Sequence, residues 1–230
     1  FYGRVREIEA IANELGEDAL RALVIHGLPG VGKSTLGSKM ARDLGGTYHT
    51  LWVNVREQTT VTRLMSALAD LAAGVAGEEA AFSPETGPSP DISLFCDRFT
   101  GLIGDEPTLV VLDDMHQADR EIIRLVGELI EEPRKSGNGL RLLMLMRHIP
   151  RIYDRRLIHP QERVKEHELE GLDRESGLRF LKDKGVREGE AEAFFERSGG
   201  FHSIWRWHWT GGNSKSTWTR RYSSPSLPSK

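Results

Sequence analysis

The residues best suited to chemistry form a glycine-rich segment from Gly27 to Ser34, with the sequence Gly-Leu-Pro-Gly-Val-Gly-Lys-Ser. In the spacing G-x-x-x-x-G-K-S/T, backbone N–H groups surround a polyphosphate and the glycines leave room for it. The helix that follows directs the positive end of its dipole at the anion. Lys33 adds a mobile cation for the outer phosphates, and the Ser34 hydroxyl can bind Mg²⁺. The segment predicts a nucleotide site formed by Gly27, Pro29, Gly30, Val31, Gly32, Lys33, Ser34 and Thr35.

A second group of polar residues ends the apolar run at residues 108–112. Asp113 and Asp114 follow it directly, and in parallel α/β sheets the ligand lies beyond the C-terminal ends of the strands. We expect Asp113 to hold Mg²⁺ through water, opposite Ser34, and Asp114 to orient or deprotonate the attacking water. A run that ends in two aspartates is also typical of a strand followed by a helix cap. The phosphate loop upstream favours the metal site.

The apolar run at residues 140–146 ends in Arg147. An arginine that leaves the same edge of the sheet can reach the γ-phosphate and report its presence, although a solvated arginine at a strand end is equally consistent with the sequence. Lys33, Asp114 and Arg147 are therefore the candidate catalytic residues, and Ser34 and Asp113 are the candidate metal ligands.

Two further sets of polar residues are interpreted as ordinary surface or loop positions. His116 and His148 lie near the same strand ends, but metal-ligand spacing such as H-x-x-x-H is missing. A basic cluster after residue 150 favours a solvated patch over an arginine finger for a neighbouring subunit. It consists of Arg151, Arg155 and Arg156.

Strand-like and helical patterns alternate between residues 20 and 170, which predicts an α/β fold with a parallel sheet covered by helices on both faces. Together with the phosphate loop, this alternation of strands and helices predicts the three-layer sandwich of a P-loop NTPase. The predicted strands are 22–26, 51–55, 108–112, 140–146 and 163–169, and the predicted helices are 33–44, 60–73, 91–102 and 118–131. A Gly- and Pro-rich loop or insertion is expected at 74–90.

The chain divides into three predicted segments. Residues 1–170 form the nucleotide-binding core, and residues 171–203 form a partial helical lid with helices at 173–184 and 188–197. Residues 204–230 are basic, lack Asp and Glu, and show no helical or strand periodicity. We interpret them as a disordered or out-of-frame tail, with an arm that binds nucleic acid or membrane as the alternative. Four tryptophans fall there, namely Trp205, Trp207, Trp209 and Trp218.

Bulk composition limits the remaining function classes. Hydrophobic residues make up 38% and charged residues 28%, which is typical of a globular protein with a core. The net charge of −3 gives no whole-chain electrostatic case for nucleic acid. The single cysteine, Cys96, excludes an internal disulfide and a thiolate zinc site, and favours a cytoplasmic location. No apolar run approaches the roughly 20 residues of a membrane helix, so no membrane partner is expected.

With these residues in place, the sequence over about residues 1–203 resembles the STAND group of signal-transduction ATPases, relatives of NB-ARC and NACHT domains and of archaeal ATPases. The resemblance begins with Phe1-Tyr-Gly-Arg-Val-Arg-Glu7, and it continues through the phosphate loop, Leu51-Trp-Val-Asn-Val55, Leu109–Asp114, Arg147 and residues 168–175. The sequence departs from the group at Met146, where Thr is usual. It also departs at residues 198–202, which lack the proline of Gly-Gly-x-Pro.

The resemblance implies properties that the residues alone do not. It implies that Gly3 and Arg4 contact adenine, that the nucleotide is ATP or ADP with Mg²⁺, and that the sheet order is 5-1-4-3-2. It also implies a switch in which ATP and ADP favour different arrangements of the core and a small C-terminal lid. Such proteins engage protein partners or self-associate through their ATPase domains, and bind nucleic acid only through a domain not in this chain.

Four functions remain open at this point. The first is a slow ATPase that acts as a regulatory switch, and the second is a nucleotide-binding scaffold that barely hydrolyses. A small-molecule kinase on the same fold is the third, which the Gly3-Arg4 segment before the first strand disfavours. The fourth is a DNA-loading ATPase of the replication-initiator type, which usually has Asp-Glu where this chain has Asp113-Asp114.

Overall fold

The computed structural model describes residues 2–77, 82, 90–131 and 139–198. Its strands are β1 (Ala22–His26), β2 (His49–Asn54), β3 (Thr108–Asp113), β4 (Leu140–Met146) and β5 (Val164–Glu168). Its α-helices are α1 (Val5–Leu15), α2 (Lys33–Leu44), α3 (Val61–Ala76), α4 (Ile92–Ile103), α5 (Arg120–Glu131), α6 (Arg174–Asp183) and α7 (Glu188–Ser198). Single 3₁₀ turns occur at Met115–Gln117 and Arg155–Leu157.

The strands form one parallel sheet in the order β2-β3-β4-β1-β5. This is the predicted order 5-1-4-3-2 counted from the other edge, so the prediction is confirmed. Strands β3 and β4 are buried along their whole length, as their continuous apolar sequences require of strands covered on both faces. Because the strands are parallel, the C-terminal ends of β1, β3 and β4 lie at the same end of the sheet. The polar residues predicted to form the site follow these strand ends.

Two apolar layers cover the sheet, because successive side chains along each strand point to opposite faces. On one face, Leu23 and Ile25 of β1 pack with Leu36 and Met40 of α2 and with residues of α1. On the other face, alternate strand residues pack against α3, α4 and α5. The predicted three-layer sandwich is thus confirmed. A small separate cluster joins α6 and α7 through Leu181, Val186 and Ala191.

Polar side chains cap the N termini of several helices. The Thr60 hydroxyl accepts a hydrogen bond from the Arg63 N–H (3.3 Å) at the start of α3. The Asp91 carboxylate accepts from the Leu94 N–H (3.0 Å) and starts α4 in the same way. Asp173 caps α6 through the Ser176 N–H at 2.9 Å. Such caps each contribute about 0.5–2 kcal/mol to stability.

Several sequence predictions need correction. Helix α1 is absent from the predicted helices, although its apolar residues Ile8, Ile11 and Leu15 recur at helical spacing and pack on the sheet. Residues 74–76 belong to α3, so the predicted 74–90 loop begins too early. Strand β2 spans 49–54 instead of 51–55, because its first residues continue the pairing with β3.

The helices predicted after residue 171 occur as α6 and α7, within one residue of the predicted bounds. The division into a core at 1–170 and a lid at 171–203 remains a prediction. The predicted tail at 204–230, its four tryptophans and the departure at residues 199–202 lie outside the described residues. In the described part of the chain, no helix has the length and apolar character needed to cross a bilayer.

Candidate functional site

The phosphate loop joins the end of β1 to the start of α2. Gly27 and Gly32 have positive φ angles of 148° and 103°, and Gly32 immediately precedes α2. A Cβ on Gly27 would lie 2.5 Å from the Leu169 carbonyl oxygen, so the loop passes too close to the end of β5 for any other residue. The loop leaves a cavity of about 260 Å³ at the N terminus of α2. This cavity is lined by Pro29, Gly30, Gly32, Lys33, Ser34, Thr35, Asp114 and Arg147.

Lys33 is the first residue of α2 and its side chain folds back over the loop. Its ammonium group donates to the carbonyl oxygens of Gly27 (2.7 Å) and Leu28 (2.9 Å). Burial lowers the pKa of Lys33, and the positive charge of Arg147 lowers it further, while Asp114 opposes the shift. Two cations of the chain thus face one cavity, an arrangement that suits a polyanion and that repels itself without one.

Ser34 of α2, which lines this cavity, contacts Asp113 at the end of β3. The Ser34 hydroxyl donates to Asp113 Oδ1 at 3.0 Å, and the Asp114 N–H donates to the same oxygen at 3.0 Å. Asp113 is only 7% exposed. Burial raises its pKa, the Ser34 hydrogen bond opposes that rise, and the charge of Asp114 adds to it.

These two side chains fit the predicted Mg²⁺ site by the chemistry of their donors, because Mg²⁺ prefers hard oxygen ligands and keeps several waters. Among the described residues no group of three His, Cys, Asp or Glu side chains could hold a metal by itself. Ser34 and Asp113 would therefore share the ion with phosphate oxygens and water, as nucleotide sites of this kind require.

Asp114 and Arg147 lie at the same cavity, as their strand ends predict. Asp114 adopts a left-handed backbone conformation (φ 58°, ψ 34°), which turns the chain out of β3 into the 3₁₀ turn at Met115–Gln117. Arg147 follows β4 and is exposed. The structure therefore brings together Lys33, Ser34, Asp113, Asp114 and Arg147.

Gly3 and Arg4 lie at a second cleft of about 500 Å³. The Arg4 guanidinium, 9% exposed, donates to Glu7 Oε1 (2.8 Å) and to the carbonyl oxygens of Val31 (3.5 Å) and Glu170. It thereby ties the phosphate loop to the segment after β5. The cleft is lined by Gly3, Arg4, Glu7, Glu168, Leu169, Glu170, Gly171, Leu172 and Asp173.

Two residues predicted to bind nucleotide have mainly structural contacts. Val31 is 1% exposed and packs in the apolar layer with α1 and α2. Gly27 packs on Leu169, and its carbonyl accepts from Lys33. Their direct contact with nucleotide remains a prediction. Sequence reasoning missed Glu168 and Glu170 as residues that line the second cleft.

His116, interpreted as an ordinary loop residue, lies in the 3₁₀ turn after β3, and its side chain is largely shielded from solvent. Its side chain is 9% exposed, and its Nδ1 atom is buried without a hydrogen-bond partner, 3.7 Å from Asp114 Oδ1. The His116 and His148 rings meet edge to face, with centroids 5.8 Å apart. No sequence signal distinguishes His116 from an exposed loop histidine, because its position follows a left-handed turn at Asp114 that no local pattern predicts. Arg151, Arg155 and Arg156, by contrast, are exposed as expected.

Comparison with known proteins identifies solved structures with a similar fold. In solved structures, the chain is similar to Cdc6p from Pyrobaculum aerophilum, with TM-score 0.51 and 16% identity over 83% of this chain and 49% of that one. It is also similar to the Aeropyrum pernix ORC1 protein in complex with DNA (TM-score 0.51, 16% identity, 80% of this chain and 50% of that one). A third is Drosophila ORC bound to DNA, with TM-score 0.51, 14% identity, and coverage of 71% and 87%.

These likenesses establish a shared fold. The chain spans about half the length of the Cdc6p and ORC1 proteins. No curated protein matches the sequence. The family described as "AAA ATPase domain" matches residues 1–145, from the first residue through the phosphate loop and β3 into β4. The match covers more than half of the chain, and the chain therefore belongs to the AAA ATPase domain family.

Proposed function

We propose that this chain binds ATP with Mg²⁺, hydrolyses it slowly, and uses the difference between ATP and ADP as a STAND-type regulatory switch. The observation that carries the proposal is the 3.0 Å contact of Ser34 with Asp113, at a cavity that Ser34 lines together with Lys33 and Arg147. A hydroxyl, a buried carboxylate and two cations at one helix N terminus are the set that a triphosphate with a divalent cation requires.

Each side chain has a role that follows from its position. Lys33, which now donates to two loop carbonyls, would turn its ammonium group to the outer phosphates. Bound Mg²⁺ would neutralise charge on those phosphates. Asp114, at the rim of the same cavity, accepts the proton of the attacking water or orients it. Arg147 contacts the γ-phosphate and so distinguishes ATP from ADP.

The contacts of Arg4 and Gly3 support a route from the phosphates to α6 and α7. Arg4 touches the carbonyl of Val31 in the phosphate loop and that of Glu170 before α6. A Cβ on Gly3 would lie 2.2 Å from Ser176 Oγ, so the N-terminal segment packs directly on α6. Loss of the γ-phosphate can shift α6 and α7 only if ATP and ADP make different contacts with the protein. The contacts of Arg4 and Gly3 would transmit that difference from the phosphate loop to α6.

Nucleotide binding is tested with Lys33→Ala against Lys39→Ala. Both lysines belong to α2, but Lys39 is partly exposed and pairs with Asp43. We expect Lys33→Ala to weaken Mg-ATP binding at least tenfold in equilibrium dialysis, because a charge-assisted contact contributes about 1.5–3 kcal/mol. Lys39→Ala should bind as the wild type does. Equal binding by all three proteins would refute the proposed site.

Turnover is tested with Asp114→Asn. If the chain is an ATPase, this variant retains ATP binding and loses phosphate release by about 10²-fold or more, since it lacks the base. Unchanged phosphate release would favour the nucleotide-binding scaffold instead. Labelled ATP distinguishes the kinase alternative, because the γ-phosphate then appears on a small acceptor and not in water.

The switch is tested with Arg147→Ala. We expect ATP affinity to fall about tenfold while ADP affinity is unchanged, because the two nucleotides differ by the phosphate that Arg147 contacts. Arg124→Ala, an exposed arginine of α5 paired with Glu128, is the matched control. An equal loss of ATP and ADP affinity would contradict the sensor role.

We propose protein partners or self-association through the ATPase domain, and contact with nucleic acid only through a domain outside this chain. Two of the similar structures are complexes with DNA. The net charge of −3 does not favour DNA binding by this chain. Fluorescence anisotropy with a labelled duplex at low salt tests the point, and specific binding by this chain would favour the replication-initiator alternative.

A further inference from the structure

His116 lies between two strand ends that the proposed chemistry uses. It belongs to the 3₁₀ turn that follows β3, two residues after Asp114, and its ring meets His148 directly after Arg147. Only 9% of its side chain is exposed. The proposed function gives this imidazole no role, although it lies beside Asp114 and contacts the residue that follows Arg147.

The polar atom of His116 that faces Asp114 is its Nδ1 atom, at 3.7 Å from Oδ1. This distance is beyond a hydrogen bond, and the described residues give Nδ1 no other acceptor. A buried polar atom without a partner is destabilising, so a small rotation that closes the gap to the carboxylate is favourable. The Asp114 side chain is partly exposed at the rim of the cavity, which leaves it room for such a rotation.

The surroundings of His116 favour a neutral ring. Burial lowers its pKa, Arg147 and His148 lower it further, and Asp114 partly offsets these effects. A neutral imidazole carries one N–H, and a carboxylate beside Nδ1 selects the tautomer that has its proton on that nitrogen. The ring can therefore donate to Asp114 while its edge keeps contact with His148.

We propose that His116 is a positioning residue that donates its Nδ1–H to the Asp114 carboxylate and fixes the orientation in which Asp114 meets the attacking water. The inference rests on the proposed function, because it assigns His116 to the same hydrolytic site. The contact with His148 links this orientation to the end of β4, so the position of Asp114 is coupled to that of Arg147. His116 touches neither nucleotide nor water in this arrangement.

The test compares His116→Phe with His116→Asn. Phenylalanine keeps the ring and its contact with His148 but lacks the donor, whereas asparagine lacks the ring and supplies an N–H near the position of Nδ1. We expect His116→Phe to lower ATP turnover about tenfold with ATP affinity unchanged, because a general base contributes roughly 10²–10⁴-fold only when oriented. His116→Asn should recover turnover to within about threefold of the wild type. His49→Phe, at an exposed position of β2, is the matched control.

A double-mutant cycle separates positioning from packing. In an Asp114→Asn background, His116→Phe should cause no further loss of single-turnover rate, because its effect passes through that carboxylate. Additive losses, or equal losses in the Phe and Asn variants, would overturn the proposal. If the wild type hydrolyses ATP and His116→Phe has no effect on turnover, this inference alone is overturned. If the wild type does not hydrolyse ATP, the proposed function fails and this inference fails with it.

A direct measurement of the tautomer uses the wild-type protein. Nitrogen-15 NMR of histidine-labelled protein reports which ring nitrogen carries the proton. We expect the Nδ1–H tautomer for His116, assigned by loss of its signal in His116→Asn. The Nε2–H tautomer would overturn the proposal, because Nδ1 would then have no proton to donate.

Discussion

Gly3→Ala tests whether the N-terminal segment clamps α6 to the nucleotide site. Gly3 has φ of +48°, and a Cβ there would lie 2.2 Å from Ser176 Oγ and 2.5 Å from Ser176 Cβ. Both distances are below any normal contact, so Ser176 and the first turn of α6 must move. Asp173 caps that turn through the Ser176 N–H, and its Oδ2 atom lies 3.1 Å from the same Cβ. We therefore expect Asp173 to move together with Ser176.

The size of the effect follows from these contacts. A left-handed φ costs an alanine about 1–2 kcal/mol relative to glycine. Loss of the Asp173 cap adds about 0.5–2 kcal/mol. We therefore expect Gly3→Ala to lower the free energy of unfolding in urea by about 1.5–4 kcal/mol. Faster amide hydrogen exchange should be concentrated in α6, because the strain is local.

The same substitution changes nucleotide binding in a diagnostic way. Gly3 lines the larger cleft and is not among the residues of the phosphate cavity. We expect ATP and ADP affinities to fall together by about tenfold, while the affinity for inorganic tripolyphosphate is unchanged. This pattern differs from that of Arg147→Ala, which should weaken ATP alone.

Gly101→Ala is the matched control for the backbone change. Gly101 lies inside α4, and a Cβ there meets nothing within 4 Å. Alanine should raise the free energy of unfolding by about 0.4–1 kcal/mol because it restricts the unfolded chain. If Gly3→Ala unfolds and binds ATP as the wild type does while Gly101→Ala behaves as expected, the clamp is wrong.

Two further predictions concern buried polar groups. Arg141→Met should lower the free energy of unfolding by about 2–3 kcal/mol in urea titration, because Arg141 donates to the Leu15 (2.9 Å) and Glu17 (3.1 Å) carbonyls at the end of α1; unchanged stability would refute its role in docking α1. Burial, then the hydrogen bond to Glu166, raise the pKa of Tyr153, so the folded protein keeps a proton that the unfolded chain loses near the ordinary tyrosine pKa of 10.0. The free energy of unfolding should therefore fall as the pH rises above 10, and Tyr153 contributes at most about 1.4 kcal/mol of that fall per pH unit. Urea titrations at successive pH values should give a shallower slope for Tyr153→Phe, and identical slopes would contradict this.

The sheet is predictable because its strands carry an unambiguous signal. β3 and β4 contain the continuous apolar runs 109–112 and 142–146, which are typical of strands covered on both faces. The order of the strands does not follow from the runs; it comes from resemblance to a known family. Helix α1 escapes prediction because charged residues separate Ile8, Ile11 and Leu15, so the segment resembles a polar surface stretch although its apolar spacing is helical.

The site is predictable to the extent that it depends on the ends of elements. The phosphate loop and Asp113 follow from spacing and from the position of strand ends. His116 does not, because its burial depends on the left-handed turn at Asp114, a conformation that the sequence does not specify. The contacts of Arg4 with Val31 and Glu170 join residues far apart in the chain, and no local pattern reports them.

The departure at Met146, where the resembled group has threonine, is explained by the pleat of β4. Met144 and Met146 pack in the layer with α3, α4 and α5, whereas Leu145 packs in the layer with α2. Since side chains alternate along a strand, Arg147 returns to the face of α2, where it lines the cavity with Ser34. A threonine hydroxyl at 146 would point away from that cavity. Methionine there fills the apolar layer and leaves the phosphate side of the strand, with its arginine, unchanged.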